Sequence, residues 1–197
     1  RKESSAASDV YKRQLVNRSF SVMSTCCIPL ILCSMIMAPQ IVYILSGPGY
    51  EGAILPMRII MPAAFAVGVA QVLAIQVLMP MKKDKVLLVA SIIGAVVSLL
   101  INLLVVPYIE SVGSAVVLLC SEAVVTGAYL WYVLSHKLTL ISVKTIGKSV
   151  LYSLPSVVVC WGCGRWIENE FVGVGCAFLL SLFCLIYANR AYFRGLI

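Results

Sequence analysis

Charge is scarce in this sequence. Of 197 residues, 15 are Lys or Arg, 8 are Asp or Glu and 1 is His, so 12% are charged while 61% are hydrophobic. A soluble domain has about 25% charged residues and 45–50% apolar ones, so this chain lacks the side chains to cover a water-facing surface. Other absences narrow the chemistry. No Walker loop, Gly-rich dinucleotide turn, H-E-x-x-H pair or nucleophile elbow occurs, and the one histidine, His136, falls between apolar runs. An enzymatic role therefore has no residues to rest on, and neither a cofactor nor a metal is expected. With no channel-type filter sequence and no ATP-binding domain, a transporter reading narrows to secondary or passive transport.

What is present is long apolar runs. A helix needs roughly 20 apolar residues to cross about 30 Å of hydrocarbon, which limits this length to seven or eight crossings at most. Six are read, near 22–46, 55–80, 86–106, 112–135, 148–166 and 171–189. The runs lack the alternation of barrel strands, and every backbone amide in lipid needs an internal partner, so helices are expected. The fold class predicted is an all-α integral membrane bundle of about six transmembrane helices, with residues 15–197 as the membrane region. The polar stretch Arg1 to Gln14 is read as a non-native or disordered segment. Its run from Ser4 to Gln14 resembles a translated sequencing-adapter artefact, which implies a gene that truly begins upstream.

Basic residues set the orientation. Arg18, then Lys82, Lys83 and Lys85, then Lys137, Lys144 and Lys148, then Arg190 and Arg194 fall on one side of the alternating spans, against Arg58 and Arg165 on the other. Both termini are thus predicted to be cytoplasmic. The net charge of +7 becomes a topology signal and an attraction to anionic lipid, not a nucleic-acid footprint.

Within the spans, Cys26, Cys27, Cys33, Cys120, Cys160, Cys163, Cys176 and Cys184 read as small packing residues. The Cys160-x-x-Cys163 pair has neither a redox context nor a second pair to hold zinc. Pro29 and Pro39 remove the helical partners of the Thr25 and Met35 carbonyls, so the first span should bend. The bend serves a moving wall, or it is a static kink repaired by neighbours such as Ser24 or Ser34. Ala90, Gly94, Ser98 and Asn102 form an i+4 stripe that faces protein, with Asn102 either packing or lining a cavity.

Glu122 sits mid-span with no basic residue in reach on its own helix, where a carboxylate costs at least about 2.5 kcal/mol. It is a proton-binding or path-lining group, or a neutral packing residue paired with Asn102, Gln71 or a further helix. Arg58 either holds a phosphate with its bidentate fork or snorkels to the interface. Gln71 and Gln76, about 500° apart around a helix, cannot both line one path. The substrate-path or coupling candidates are therefore Arg58, Gln71, Asn102 and Glu122.

Three short blocks carry a resemblance. Gly47-Pro48-Gly49-Tyr50-Glu51-Gly52-Ala53 resembles the loop after a proline-bearing helix in polysaccharide repeat-unit flippases. Lys82-Lys83-Asp84-Lys85 resembles their basic loop. Asn102-Leu103-Leu104-Val105-Val106-Pro107, with Gly113-Ser114-Ala115 and Glu122, resembles their Asn–aliphatic–Pro run followed by small residues and an acid. Ser114 stands where Ala is frequent. The likeness covers about residues 22–135.

Such flippases belong to the multidrug/oligosaccharidyl-lipid/polysaccharide exporter superfamily, whose two lobes hold twelve to fourteen helices. The resemblance implies the C-terminal part of such a transporter, which moves a polyprenyl-diphosphate-linked oligosaccharide to the outer leaflet by alternating access. Its implied partners are that lipid-linked substrate, membrane lipids, the missing N-terminal lobe and a polysaccharide polymerase. A cation-coupled multidrug exporter of the same superfamily and a non-transporting scaffold for glycan assembly are the alternatives. The scaffold would be favoured if Gln71, Asn102 and Glu122 were all packed against aliphatics.

Overall fold

The structure, a computed structural model, describes residues 2–136, 143–166 and 170–188. It is an all-α bundle. In chain order come α1 (Lys2–Ile36), α2 (Ala38–Ser46), a 3-10 turn (Glu51–Ala53), α3 (Ile54–Leu73) ending in a π-helical turn (Ala74–Leu78), α4 (Asp84–Ser135), α5 (Val143–Trp166) and α6 (Glu170–Ala188). Among the described residues, three stretches are long and apolar enough to cross a membrane: Arg13–Ile36, Glu51–Leu78 and Asp84–Ser135, with mean hydropathies of 1.9, 1.9 and 2.7. Most of their surface faces outward, which suits a chain whose solvent is hydrocarbon.

Two boundaries differ from the sequence expectation. Helix α1 begins at Lys2, ahead of residue 22, so residues 2–14 continue it. The expected single span 22–46 is divided at Met37, whose backbone (φ −89°, ψ 14°) leaves the helical range just before Ala38-Pro39. Proline disfavours helical backbone in the residues ahead of it, which places the break there. Met37 N–H still donates to Cys33 O, and Ile41 N–H to Met37 O, each at 2.9 Å. The result is a tight elbow. The other proline, Pro29, stays inside α1.

The third and fourth expected spans are the two arms of α4, residues 84–108 and 111–135. They join at Ile109 (φ −131°, ψ 18°) and Glu110 (φ 42°, ψ −116°). The arms fold back on each other: a Cβ at Gly94 would strike Val125, and one at Gly113 would lie 2.9 Å from Val106 Cα. Glu110 occupies the backbone region that the first central position of a II′-type turn reserves for glycine. Glu110→Gly should therefore relieve about 1 kcal/mol of strain. A rise of a few degrees in the thermal midpoint of the detergent-extracted protein would bear this out, and an unchanged or lower midpoint would refute it.

Hydrogen bonds fix how the segments run. Gln76 on the π turn reaches Ser19 on α1, and Arg58 on α3 reaches Met35, so α1 and α3 are antiparallel. Thr126 reaches Ala66, so the second arm of α4 runs parallel to α3. Cys33 meets Ser156, and Gln40 meets Gly164, so α1–α2 and α5 run together. Ser156 meets the Ser181 carbonyl, and α6 returns antiparallel to α5.

The segments therefore alternate up and down. Arg18, Lys82, Lys83 and Lys85, and the start of α5 with Lys144 and Lys148, fall at one end of the bundle. Arg58 and Arg165 fall at the other. Lys137, Arg190 and Arg194 lie outside the described residues.

The core has two parts. Val16, Phe20, Val69, Ala70, Leu73, Val77, Leu78, Ala90, Tyr129 and Val133 join α1, α3 and α4 near the Lys-rich end. Cys33, Met37, Cys160 and Ala177 join the elbow to α5 and α6 nearer the other end. Cys33 and Cys160, both 0% exposed, thus pack as small apolar groups, as the sequence suggested for the cysteines.

Candidate functional site

The four residues singled out in the sequence do not form one cluster. Arg58 lies near the start of α3, exposed, and its Nε donates to the Met35 carbonyl at 3.0 Å. Met35 is the residue four before Pro39, whose missing N–H would have been that carbonyl's helical partner. The repair of the kink thus comes from α3, across the bundle, and not from a serine on the same helix. Ser24, fully buried, has no hydrogen-bond partner for its Oγ among the described residues.

Gln71 is exposed on α3, on a stripe with Ala64, Val67 and Ile75. It is 13 positions from Arg58, about 20 Å along an ideal helix and about 140° around it, so the two cannot grip one small group. Asn102 is exposed on the first arm of α4. Its stripe divides: Ala90 and Gly94 are buried against the second arm, Ser98 is half-buried and Asn102 emerges. The packing reading therefore holds for the first two members, while Asn102 is presented outward.

Glu122 is half-buried and shares a helical face with Ala115, Thr126, Tyr129 and Val133, all of them buried. Thr126 Oγ1 donates to Ala66 O at 2.9 Å and docks that face on α3. Glu122 lies one helical turn before Thr126 on that face. Among the described residues no hydrogen bond or ion pair reaches Glu122, Gln71 or Asn102. The pairing of Glu122 with Asn102 or Gln71, one of the expected alternatives, is absent from this arrangement. No two of the three meet and none is sealed among aliphatics, so neither the convergence that would count against a scaffold nor the packing that would favour one is present.

Two amides outside the candidate set are held more firmly than those within it. Gln76 is the central residue of the π turn, a feature that proteins place at functional or strained sites. Its Nε2 donates to Ser19 Oγ at 2.7 Å, but its buried Oε1 has no partner among the described residues. Gln40, on α2, donates to Gly164 O at 3.3 Å and likewise keeps a buried, unpartnered Oε1. The signal that could have found Gln40 was its place beside Pro39. For the role of Gln76 there was none, because a π turn has no residue signature of its own.

Elsewhere the polar groups serve packing. Cys33 Sγ and Ser181 Oγ lie 3.4 Å apart, and Ser156 Oγ donates to Ser181 O at 3.3 Å, tying α1, α5 and α6 together. A cleft of about 180 Å³ opens between α1 and α6, lined by Cys26, Pro29, Leu30, Phe178, Ser181 and Leu182. It is almost wholly apolar. Among the described residues no group of three or more His, Cys, Asp or Glu could hold a metal ion.

The arrangement offers two cations at the end away from the Lys-rich loop, Arg58 with donors to spare on its guanidinium and Arg165 lying 5.9 Å over the Trp161 ring. It also offers one half-buried carboxylate in mid-bundle and amides spread along three segments. Such a set can handle an anion at one end and polar groups along a wall, but it does not assemble a reaction centre.

Comparison with known proteins agrees with that character. Over 101 residues the chain is 32% identical to a protein of Escherichia coli (strain K12) named "Putative O-antigen transporter", a match over 51% of this chain and 24% of that protein. The matched region thus spans about a quarter of the relative's length. No protein-family model matches the chain, and no solved structure does. The apolar helices make this a membrane protein, and about half of it is similar to a protein named as an O-antigen transporter.

Proposed function

We propose that this chain is part of a flippase that carries a polyprenyl-diphosphate-linked oligosaccharide from the cytoplasmic to the outer leaflet of a bacterial cytoplasmic membrane. A second lobe from the same protein completes the path, and the two lobes alternate access. Both termini face the cytoplasm, where the Lys-rich end of the bundle meets anionic lipid. A diphosphate and its sugars cannot cross hydrocarbon unaided, so a polar wall must replace their water while the prenyl tail stays in lipid.

The observation that carries this reading is Arg58, a guanidinium near the outer end of α3 with one N–H on a backbone carbonyl and, among the described residues, no carboxylate beside it. A guanidinium in that state can take a phosphate on its remaining donors. Gln71, Asn102 and Glu122 supply polar positions at successive depths, so a substrate would meet them in sequence and not together. A polysaccharide polymerase is the expected consumer of the flipped product.

Reconstitution of the full-length protein in vesicles with fluorescent prenyl-diphosphate oligosaccharide in both leaflets tests the proposal. Facilitated exchange between leaflets is expected, measured as protection from a membrane-impermeant quencher. Arg58→Ala should slow it about tenfold, the effect of losing one charge-assisted phosphate contact. Exchange no faster than in protein-free vesicles would overturn the proposal.

A further inference from the structure

We propose that Arg58 is the latch of the elbow between α1 and α2, and that a diphosphate group opens it by drawing the guanidinium away from the Met35 carbonyl. The idea rests on the flippase reading for the identity of the anion, but the latch itself stands on geometry. Pro39 has no N–H, so Met35 O loses its helical partner. In a bilayer an unpartnered carbonyl is expensive, and the donor that replaces the missing amide comes from another helix. The bent form of α1–α2 is thus tied to the position of one side chain on α3.

Three further features make the elbow a discrete joint. The non-helical backbone is confined to Met37, and hydrogen bonds resume on both sides of it. Met37 and Ala38 are each 0% exposed, so the pivot is held in the core formed with Cys33, Cys160 and Ala177 while α2 projects beyond it. The projecting arm ends at Gly47 (φ 79°), followed by Gly49 (φ 94°), in conformations that leave the next loop free of side-chain constraint. Among the described residues α2 itself makes one side-chain hydrogen bond, from Gln40 to Gly164 O at 3.3 Å, while the Arg58 bond ends on α1 just before the pivot.

The guanidinium explains how an anion would act. Its side-on fork uses Nε–H together with one Nη–H, and the Nε–H is the donor now spent on Met35. A phosphate oxygen is the stronger acceptor, so side-on capture of a diphosphate leaves the Met35 carbonyl without a donor. The elbow then loses the donor from α3 that satisfies its open carbonyl, and the bent form of α1–α2 is destabilised. Occupancy of Arg58 and the bend of α1–α2 become one equilibrium.

The test combines a double-mutant cycle with hydrogen exchange on the full-length protein in detergent. Arg58→Met should lower the thermal midpoint by several degrees. In a Pro39→Ala background, where the restored backbone N–H at that position can serve the Met35 carbonyl, the same change should cost much less. Equal cost in both backgrounds would overturn the latch.

Amide exchange in peptides covering residues 36–46 should rise at least severalfold when farnesyl diphosphate or inorganic pyrophosphate is added. It should already be high, and unresponsive, in Arg58→Met. A response to farnesyl diphosphate alone would identify a lipid-linked source, while a response to both would assign recognition to the diphosphate itself. No response to either would overturn opening by the anion. If the cycle and the exchange behave as expected but the unaltered full-length protein moves the oligosaccharide no faster than protein-free vesicles do, the latch stands and the flippase reading fails.

Discussion

Replacing Gly94 by leucine is expected to force the two arms of α4 apart and to remove most folded protein from the membrane. A Cβ at residue 94 would already collide with Val125, with the Ser121 carbonyl 3.7 Å away, so the arms approach with glycine as the spacer. Lipid supplies no hydrophobic drive for helices to associate, and close backbone contact is what holds such a pair. Overpacking a tight site costs typically 1–3 kcal/mol, and here it also separates Ala90 from Tyr129 and Val133 in the main core, so a loss of about 3 kcal/mol or more is expected.

The check is the yield of monodisperse protein after detergent extraction, read by size-exclusion chromatography. A paired change separates sterics from general damage: Gly94→Ala should be harmful alone and largely restored by Val125→Ala. Normal yield of Gly94→Leu would show that the hairpin does not close as described.

Substituting Glu122 should move stability and transport in opposite directions. The side chain sits within a buried helical face, half-exposed, with no hydrogen bond or ion pair among the described residues. A carboxylate at bilayer depth costs about 2.5–3.5 kcal/mol, whether met as charge burial or as protonation. Glu122→Leu fills the same place without that cost and should raise the thermal midpoint by several degrees. If the carboxylate binds a proton or lines the path, both Glu122→Leu and the near-isosteric Glu122→Gln should lower oligosaccharide exchange by about tenfold or more. Normal exchange in Glu122→Gln at matched protein level would reduce the residue to packing, and a lower midpoint in Glu122→Leu would reveal a partner that holds it.

Parts of this structure are written openly in the residues. Long apolar runs with no alternation specify helices, because in lipid a backbone must satisfy itself. The basic clusters recur after every second span, and the bundle places Arg18 with Lys82, Lys83 and Lys85 at the end opposite Arg58 and Arg165. The turn between the third and fourth spans was legible from the gap between the apolar runs 86–106 and 112–135, and the bend near Pro39 from the missing amide. The start of α1 was not legible: the helix begins at Lys2, ahead of the apolar run.

Site residues were harder to place for a physical reason. Composition identifies which side chains are costly in a membrane, but cost does not say where they meet. Gln71, Asn102 and Glu122 were each correctly seen as exceptions in apolar helices, yet register sets them at different depths. Arg58 was seen as either a phosphate holder or a snorkelling cation. Its contact with Met35 O was invisible because it joins positions 23 residues apart through the packing of two antiparallel helices.

The sequence by itself determined the solvent, the class of fold and the alternation of the segments, since these follow from hydropathy, backbone hydrogen bonding and the bias of Lys and Arg. The tertiary structure decided the partners: which helix supplies the donor that Pro39 removes, which face Gly94 clears and which side chains remain unsatisfied. Those choices depend on helix register and crossing, quantities that arise only when one apolar surface, nearly featureless as a sequence, is packed against another.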